Sequence, residues 1–158
     1  MKIMTDSIIP PFKSLITERP WGHYGLYSDN EICTSKILYI KKNELLSMQY
    51  HFKRDQFYLI LDDNFIIEYS DKQISPYILN EPNEDIRFAE VEKFLTESMI
   101  SEKANEGDMF GFSRRVVHRA KYWGEREYGR VLDIAFGEND EEDVTRLDDK
   151  YGRISTKK

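Results

Sequence analysis

Gln49-Tyr50-His51-Phe52-Lys53-Arg54-Asp55-Gln56 is the stretch whose reading decides the fold. Residues two apart on a strand share a face, so Gln49 and His51 look the same way. Phe52-Lys53-Arg54-Asp55 suits a turn, after which Gln56 opens a second strand, Gln56-Phe57-Tyr58-Leu59-Ile60-Leu61, ended by Asp62-Asp63-Asn64. An antiparallel return of this kind brings position 56 opposite 49 and 51. Far downstream, His118 answers them with a second imidazole.

Working outward, Glu18 to Tyr27, Ile32 to Lys42, Phe65 to Tyr69, Met109 to Phe112, Val116 to Lys121 and Arg130 to Phe136 read as further β segments. Polar turns such as Ser28-Asp29-Asn30 and Ser70-Asp71-Lys72 divide them. Strands spaced by short polar turns predict an all-β barrel or sandwich. Residues 75 to 105 break the pattern. Phe88, Val91, Phe94, Leu95 and Met99 recur at spacings of three and four, which predicts an amphipathic helix around residues 83–97. Asn83 is its N-cap, with Glu84 and Asp85 in the first turn. Such a helix covers a mouth or edge of the barrel, or serves as a lid over a pocket, or forms an interface.

The 158 residues suffice for one domain with one core. They divide into an arm (1–15), a barrel (16–138) and a tail (139–158). An apolar content of 40% with 9 Phe and 10 Tyr suits a β-rich globule, and the formal charge of −6 gives no reason to expect a nucleic-acid partner. The single cysteine, Cys33, forbids an internal disulfide, suits a reducing compartment and reads as a small buried apolar residue. Met1 to Phe12 lacks the apolar core of a signal peptide, and no run approaches the ~18 apolar residues of a membrane span. The chain thus reads as soluble and cytoplasmic, with no membrane partner. The arm carries Ile8-Ile9-Pro10-Pro11-Phe12 without an amphipathic period, and we expect it to pack at a partner subunit in a homodimer; the alternative is an arm folded back on its own barrel.

The spacing of the opening stretch resembles the first cupin motif, G-x5-H-x-H-x4-E-x6-G, laid over residues 43 to 63. The second motif, G-x5-P-x-G-x2-H-x3-N, falls on Gly107, Ser113, Arg115, His118 and Tyr122. More specifically, the chain resembles the cupin domain of type II mannose-6-phosphate isomerases, the domain often fused to a mannose-1-phosphate guanylyltransferase. Glu18-Arg19-Pro20-Trp21-Gly22 is similar to that family's RPWG, and Leu46-Ser47-Met48-Gln49-Tyr50-His51 to its LSLQMH. Gly107-Asp108 and Val117-His118-Arg119 are similar to its GD and VHR. Asp143-Val144-Thr145-Arg146-Leu147-Asp148-Asp149-Lys150-Tyr151-Gly152-Arg153 is similar to its closing DIVRLEDDYGR. The resemblance spans residues 18 to 153 and implies an all-β cupin, a double-stranded β-helix (jelly-roll barrel), with one inserted helix.

The resemblance further implies a divalent metal, zinc or similar, at Gln49, His51, Gln56 and His118. Gln56 stands where the family has Glu, which leaves the set without a carboxylate and predicts weak binding. Lys53 stands where the family has another histidine. The implied reaction interconverts mannose 6-phosphate and fructose 6-phosphate. It needs a base near neutral pH and an electrophile for the developing oxyanion, and His51, His118 and Lys36 are the candidate catalytic residues. A phosphate calls for arginine forks, for which Arg19, Arg119 and Arg153 are candidates, while Trp21 and Tyr151 are candidates to stack on a sugar face. No guanylyltransferase activity is expected from this length. The competing reading is a metal-poor cupin that binds a sugar phosphate or nucleotide sugar without isomerising it. Because Ser113-Arg114-Arg115 replaces the family's Pro-x-Gly, the turn before His118 is expected to be rebuilt.

Overall fold

Among the described residues of the computed structural model, which are 15–30, 32–138 and 141–153, two antiparallel sheets face one another. The first contains β1 (Leu15–Arg19), β2 (Gly22–Asp29), β3 (Cys33–Lys41), β10 (Tyr128–Gly137), β5 (Arg54–Ile60) and β8 (Met109–Phe112), in that spatial order. The second runs β11 (Thr145–Asp148), β4 (Met48–Tyr50), β9 (Val116–Tyr122), β6 (Phe65–Gln73) and β7 (Met99–Ala104). Apart from Leu15, the expected arm and its role at a partner lie outside the described residues.

Alternation along the central strands places the site. On β5, Arg54, Gln56, Tyr58 and Ile60 are buried and face the other sheet, and β10 pairs Val131 with Ile60, Asp133 with Tyr58, Ala135 with Gln56 and Gly137 with Arg54. The inner face therefore grades from apolar at one end to polar at the other. Ile40, Ile60, Phe65, Ile67, Tyr122 and Val131 fill the apolar end, each at most 2% exposed. Burying each aliphatic side chain there contributes roughly 1.5–3 kcal/mol. The polar end is left with Arg54, Gln56 and Asp133.

Strand β5 starts at Arg54, two residues earlier than the sequence pattern suggests. The reason lies in the closing motif. The buried Asp143 carboxylate accepts the backbone N–H of Phe52 at 2.9 Å and of Lys53 at 3.0 Å, so the turn is completed by residue 53. That motif also contributes β11, which pairs with β4 at the edge of the second sheet and so belongs to the barrel wall.

The expected helix is α2 (Glu84–Ser98), capped by Asn83, whose side chain accepts from the N–H of Asp85 and Ile86. A single turn, α1 (Pro76–Leu79), precedes it, and β7 follows it as a strand the sequence pattern did not signal. Phe94 is buried, with Val91, Leu95 and Met99 packed around it on Met48, Tyr50, Ile74 and Val117. Met48, Tyr50 and Val117 alternate with the inward Gln49 and His118, so α2 covers the outer face of the second sheet. It is neither a lid nor a plug in the barrel mouth. Phe88 points away from this cluster and is 57% exposed.

In the turn before His118 a non-glycine residue takes the left-handed conformation that a glycine adopts without strain. Arg115 holds φ 64°, as Asn43 holds φ 62° at the glycine position of the first motif. A left-handed arginine costs about 1–2 kcal/mol. The cost is offset by anchoring. The Arg115 N–H donates to His51 O at 2.8 Å, its carbonyl accepts from Ile74 N at 2.9 Å, and its guanidinium donates to Gln73 Oε1 at 2.7 Å.

The Pro20-Trp21 turn between β1 and β2 has less freedom. Gly22 has φ 146°, and a Cβ there would lie 1.9 Å from the Tyr39 carbonyl oxygen on the paired strand. Since both partners are backbone in a sheet, Gly22→Ala is expected to lower unfolding stability by roughly 3 kcal/mol. Urea denaturation of the purified variant measures this; unchanged stability would mean that the β2–β3 approach is looser than described.

Candidate functional site

Three of the four positions singled out as metal ligands meet around one carboxamide. His51 Nε2 lies 3.0 Å and His118 Nε2 2.8 Å from one end of the Gln56 carboxamide, and its other end lies 2.8 Å from Asp133 Oδ1. The far ring nitrogens face backbone carbonyls: His51 Nδ1 lies 3.2 Å from Asp143 O, and His118 Nδ1 2.9 Å from Val116 O. His118 stacks on Phe112 with ring centroids 4.3 Å apart, which fixes its plane. Gln49 pairs in register with His118 on the same inner face, and its Oε1 accepts from Ser47 Oγ at 2.7 Å.

Electrostatics follow from burial. Burial, the Arg54 cation and the neighbouring imidazole push His51 down to about 2, and burial with Arg54 pushes His118 down to about 4. Both rings are therefore neutral at pH 7. Burial pushes the Asp133 carboxyl up, against the opposing pull of Gln56, Lys36 and Arg54.

A divalent ion does not fit this arrangement. The two imidazole nitrogens that would ligate it are directed at Gln56, and the fourth donor is engaged by Ser47. Among the described residues no group of three His, Cys, Asp or Glu side chains is placed so that it could hold a metal ion. Neutral amides alone do not offset a divalent charge.

In front of the carboxamide lies a concave pocket of about 90 Å³ that opens to solvent. Arg19, Lys36, Arg54, Arg146 and Arg153 line it, with Asp133 its single carboxyl among the described residues. Trp21, Gln49 and Gln56 also reach it, so of the candidate site residues Arg19, Trp21, Lys36 and Arg153 line this one pocket. His51 and His118 sit behind Gln56 and do not line it. Arg119 lies elsewhere: it points to the outer face and pairs with Glu68 and, at 3.1 Å, with Asp148. Tyr151 is spent on structure, its hydroxyl donating to Glu44.

Sequence reading missed Arg54, Tyr58, Asp133 and Arg146. Lys36, Asp133 and Tyr58 are register partners across β3, β10 and β5 and form an inward row. The Tyr58 hydroxyl is fully buried and has no hydrogen-bond partner among the described residues. Lys36 also stands 4.8 Å over the Tyr24 ring. The one available signal was Asp133 itself, a charge at an inward position of the apolar run Val131-Leu132-Asp133-Ile134-Ala135.

Facing sheets that bring the two histidine-bearing segments together on an inner wall define a cupin. The chain belongs to the family described as mannose-6-phosphate isomerase C-terminal, whose model matches residues 14–109. That match stops short of His118 and the closing motif. Among solved structures, the chain is similar in fold to CapF, a capsular polysaccharide assembling protein from Staphylococcus aureus, at TM-score 0.61 and 10% identity. It covers 88% of this chain but 34% of CapF, so the chain spans about a third of that protein's length. KdgF from Halomonas sp. is similar at TM-score 0.55 and 10% identity, covering 81% of this chain and 90% of KdgF. A Streptomyces PAC13 variant with uridine is similar at TM-score 0.57 and 6% identity, over 85% and 84% of the two chains. No curated protein matches the chain. No helix among the described residues is long and apolar enough to cross a membrane.

The suppressed histidines make stability depend on pH. Unfolded, each has the ordinary value of 6.5; folded, each binds its proton only near 4 or below. As pH falls below 6.5 the unfolded chain takes up protons that the native state refuses, so stability is present above that value and lost on acidification. Asp133 acts in the opposite sense, because a raised carboxyl keeps its proton in the native state. Two imidazoles opposed by one carboxyl leave a net uptake of roughly half to two protons, which predicts a loss of about 1–2.5 kcal/mol between pH 6 and 5. Urea unfolding across that interval measures it; a flat profile would mean that the imidazoles are not sealed from solvent.

Proposed function

We propose that this chain binds a phosphate-bearing sugar, a sugar phosphate or a nucleotide sugar, in the basic pocket. One observation carries the reading: five cationic side chains, one of them Arg153 paired with Asp149, line a pocket whose lining holds a single carboxyl, in a chain whose overall charge is −6. Arginine forks and a lysine suit phosphate oxygens, and low-dielectric walls strengthen the attraction. The concavity suits a phosphate or one sugar face, with the remainder of the ligand in the open mouth. The buried Tyr58 hydroxyl supports a ligand oxygen at the pocket floor, since an unmet buried polar group costs about 1–3 kcal/mol.

A second reading is isomerisation of mannose 6-phosphate to fructose 6-phosphate, and family membership favours it. The histidines do not line the pocket, so Asp133, neutral at rest and deprotonated once the substrate is bound beside Lys36, would take the proton from C2 and return it at C1. Lys36, its register partner, would stabilise the charge on the carbonyl oxygen. We also propose that the protein acts as a homodimer.

Thermal-shift and calorimetric titrations with mannose 6-phosphate, fructose 6-phosphate, a nucleotide sugar and unphosphorylated mannose separate these readings. Phosphorylated ligands are expected to stabilise the protein and mannose is not. Lys36→Met is expected to weaken phosphorylated ligands at least about tenfold, the value of one charge-assisted contact. A coupled assay showing turnover, lost in Asp133→Asn, would establish the second reading; no stabilisation and no turnover with any of them would end both.

A further inference from the structure

We propose that the Gln56 carboxamide presents its NH2 group to both histidines and so occupies the place a ligated cation would take, closing this cupin to metal. The inference goes beyond the reading of the pocket and does not depend on it. It begins from atoms that only accept. His51 Nδ1 and His118 Nδ1 each face a backbone carbonyl oxygen, at 3.2 and 2.9 Å. Each Nδ1 must carry a hydrogen, or two lone pairs oppose each other in a buried site.

A neutral imidazole protonated at Nδ1 has its lone pair on Nε2. Both Nε2 lone pairs then converge, from 3.0 and 2.8 Å, on the same end of the Gln56 carboxamide. A carbonyl oxygen there would meet two acceptors. The amide nitrogen has two hydrogens, one for each ring. The ends of a carboxamide are equal in size, so hydrogen-bond chemistry alone decides which end faces the histidines. With the nitrogen inward, the amide oxygen lies 2.8 Å from Asp133 Oδ1 and accepts that carboxyl's hydrogen. Every polar contact in the cluster is then satisfied, with no net charge on Gln56, His51, His118 or Asp133. The opposite orientation leaves two ring–carbonyl contacts without a hydrogen. Burial, which disfavours charge on all three ionisable groups, agrees with the neutral arrangement.

A carboxylate at position 56 has no hydrogen to give, so it would oppose both lone pairs until a cation came between them. The amide thus supplies from within the chain what a metal supplies in a two-histidine, one-carboxylate site.

Two measurements test this. The first reads tautomers in wild-type protein near neutral pH, by long-range nitrogen–proton correlation spectra of the imidazoles. Both buried rings are expected as Nδ1–H tautomers with bare Nε2, and Nε2–H tautomers would overturn the proposal. The second compares zinc binding by calorimetry in wild type and Gln56→Glu. Wild type is expected to bind no zinc at the cluster, and the variant to gain at least about a tenfold advantage. Stoichiometric zinc on wild type, lost in His118→Ala, would overturn it. If Gln56→Glu folds only when zinc is present, that supports the proposal, since the carboxylate then depends on the ion.

Discussion

The interior of this barrel is organised by one requirement: four buried polar side chains at and behind the pocket floor must find partners among themselves. Gln56 is the hinge of that arrangement, because its carboxamide alone touches His51, His118 and Asp133. These groups come from different parts of the chain, the β4–β5 turn, β5, β9 and β10. Their contacts therefore fix where the sheets sit relative to one another at the polar end. At the other end shape and apolar area suffice, as Ile40, Ile60, Phe65 and Val131 show. The grade from apolar to polar along β5 and β10 divides one continuous interior into a core and a site.

The closing segment carries more of the structure than a terminal position suggests. Asp143 ties the turn at Phe52 and Lys53 and offers its carbonyl to His51; Asp149 holds the backbone and guanidinium of Arg153; Tyr151 reaches Glu44 and the Leu45 carbonyl. The acidic residues of that motif are thus clamps, and Asp149 fixes the Arg153 guanidinium where it lines the pocket. Arg146 and Arg153 reach it from this strap, while Arg19 and Trp21 reach it from the tight turn that Gly22 makes possible. The result is a basic pocket on an acidic protein, a polarity that favours an anion entering there.

Much of this was legible in the sequence. The strand-and-turn pattern, the helix capped at Asn83 and the shared face of Gln49 and His51 follow from periodicities of two and 3.6 residues, which are local properties of the backbone. The antiparallel pairing expected to bring position 56 opposite 49 and 51 does not form, because β4 and β5 lie in different sheets that face one another; it was the resemblance to the cupin motifs that grouped Gln56 and His118 with them. Local pattern did not tell that α2 lies on the outer face of the second sheet, because the choice of face depends on which apolar residues of β4 and β9 remain uncovered. Nor did it tell that Arg115 keeps a left-handed turn without glycine, because its anchors on His51, Gln73 and Ile74 come from distant parts of the chain.

The site divides in the same way. By itself the sequence determined which residue types were available, and above all that position 56 carries an amide and not a carboxylate. Only the tertiary structure decided that Arg119 and Tyr151 turn to structural pairs while Arg54, Tyr58 and Asp133 face the pocket. It also decided that the histidines sit behind Gln56 rather than on the pocket wall. The reason is that cross-strand register, not sequence proximity, sets which side chains share an interior, and burial then compels those side chains to find partners among themselves.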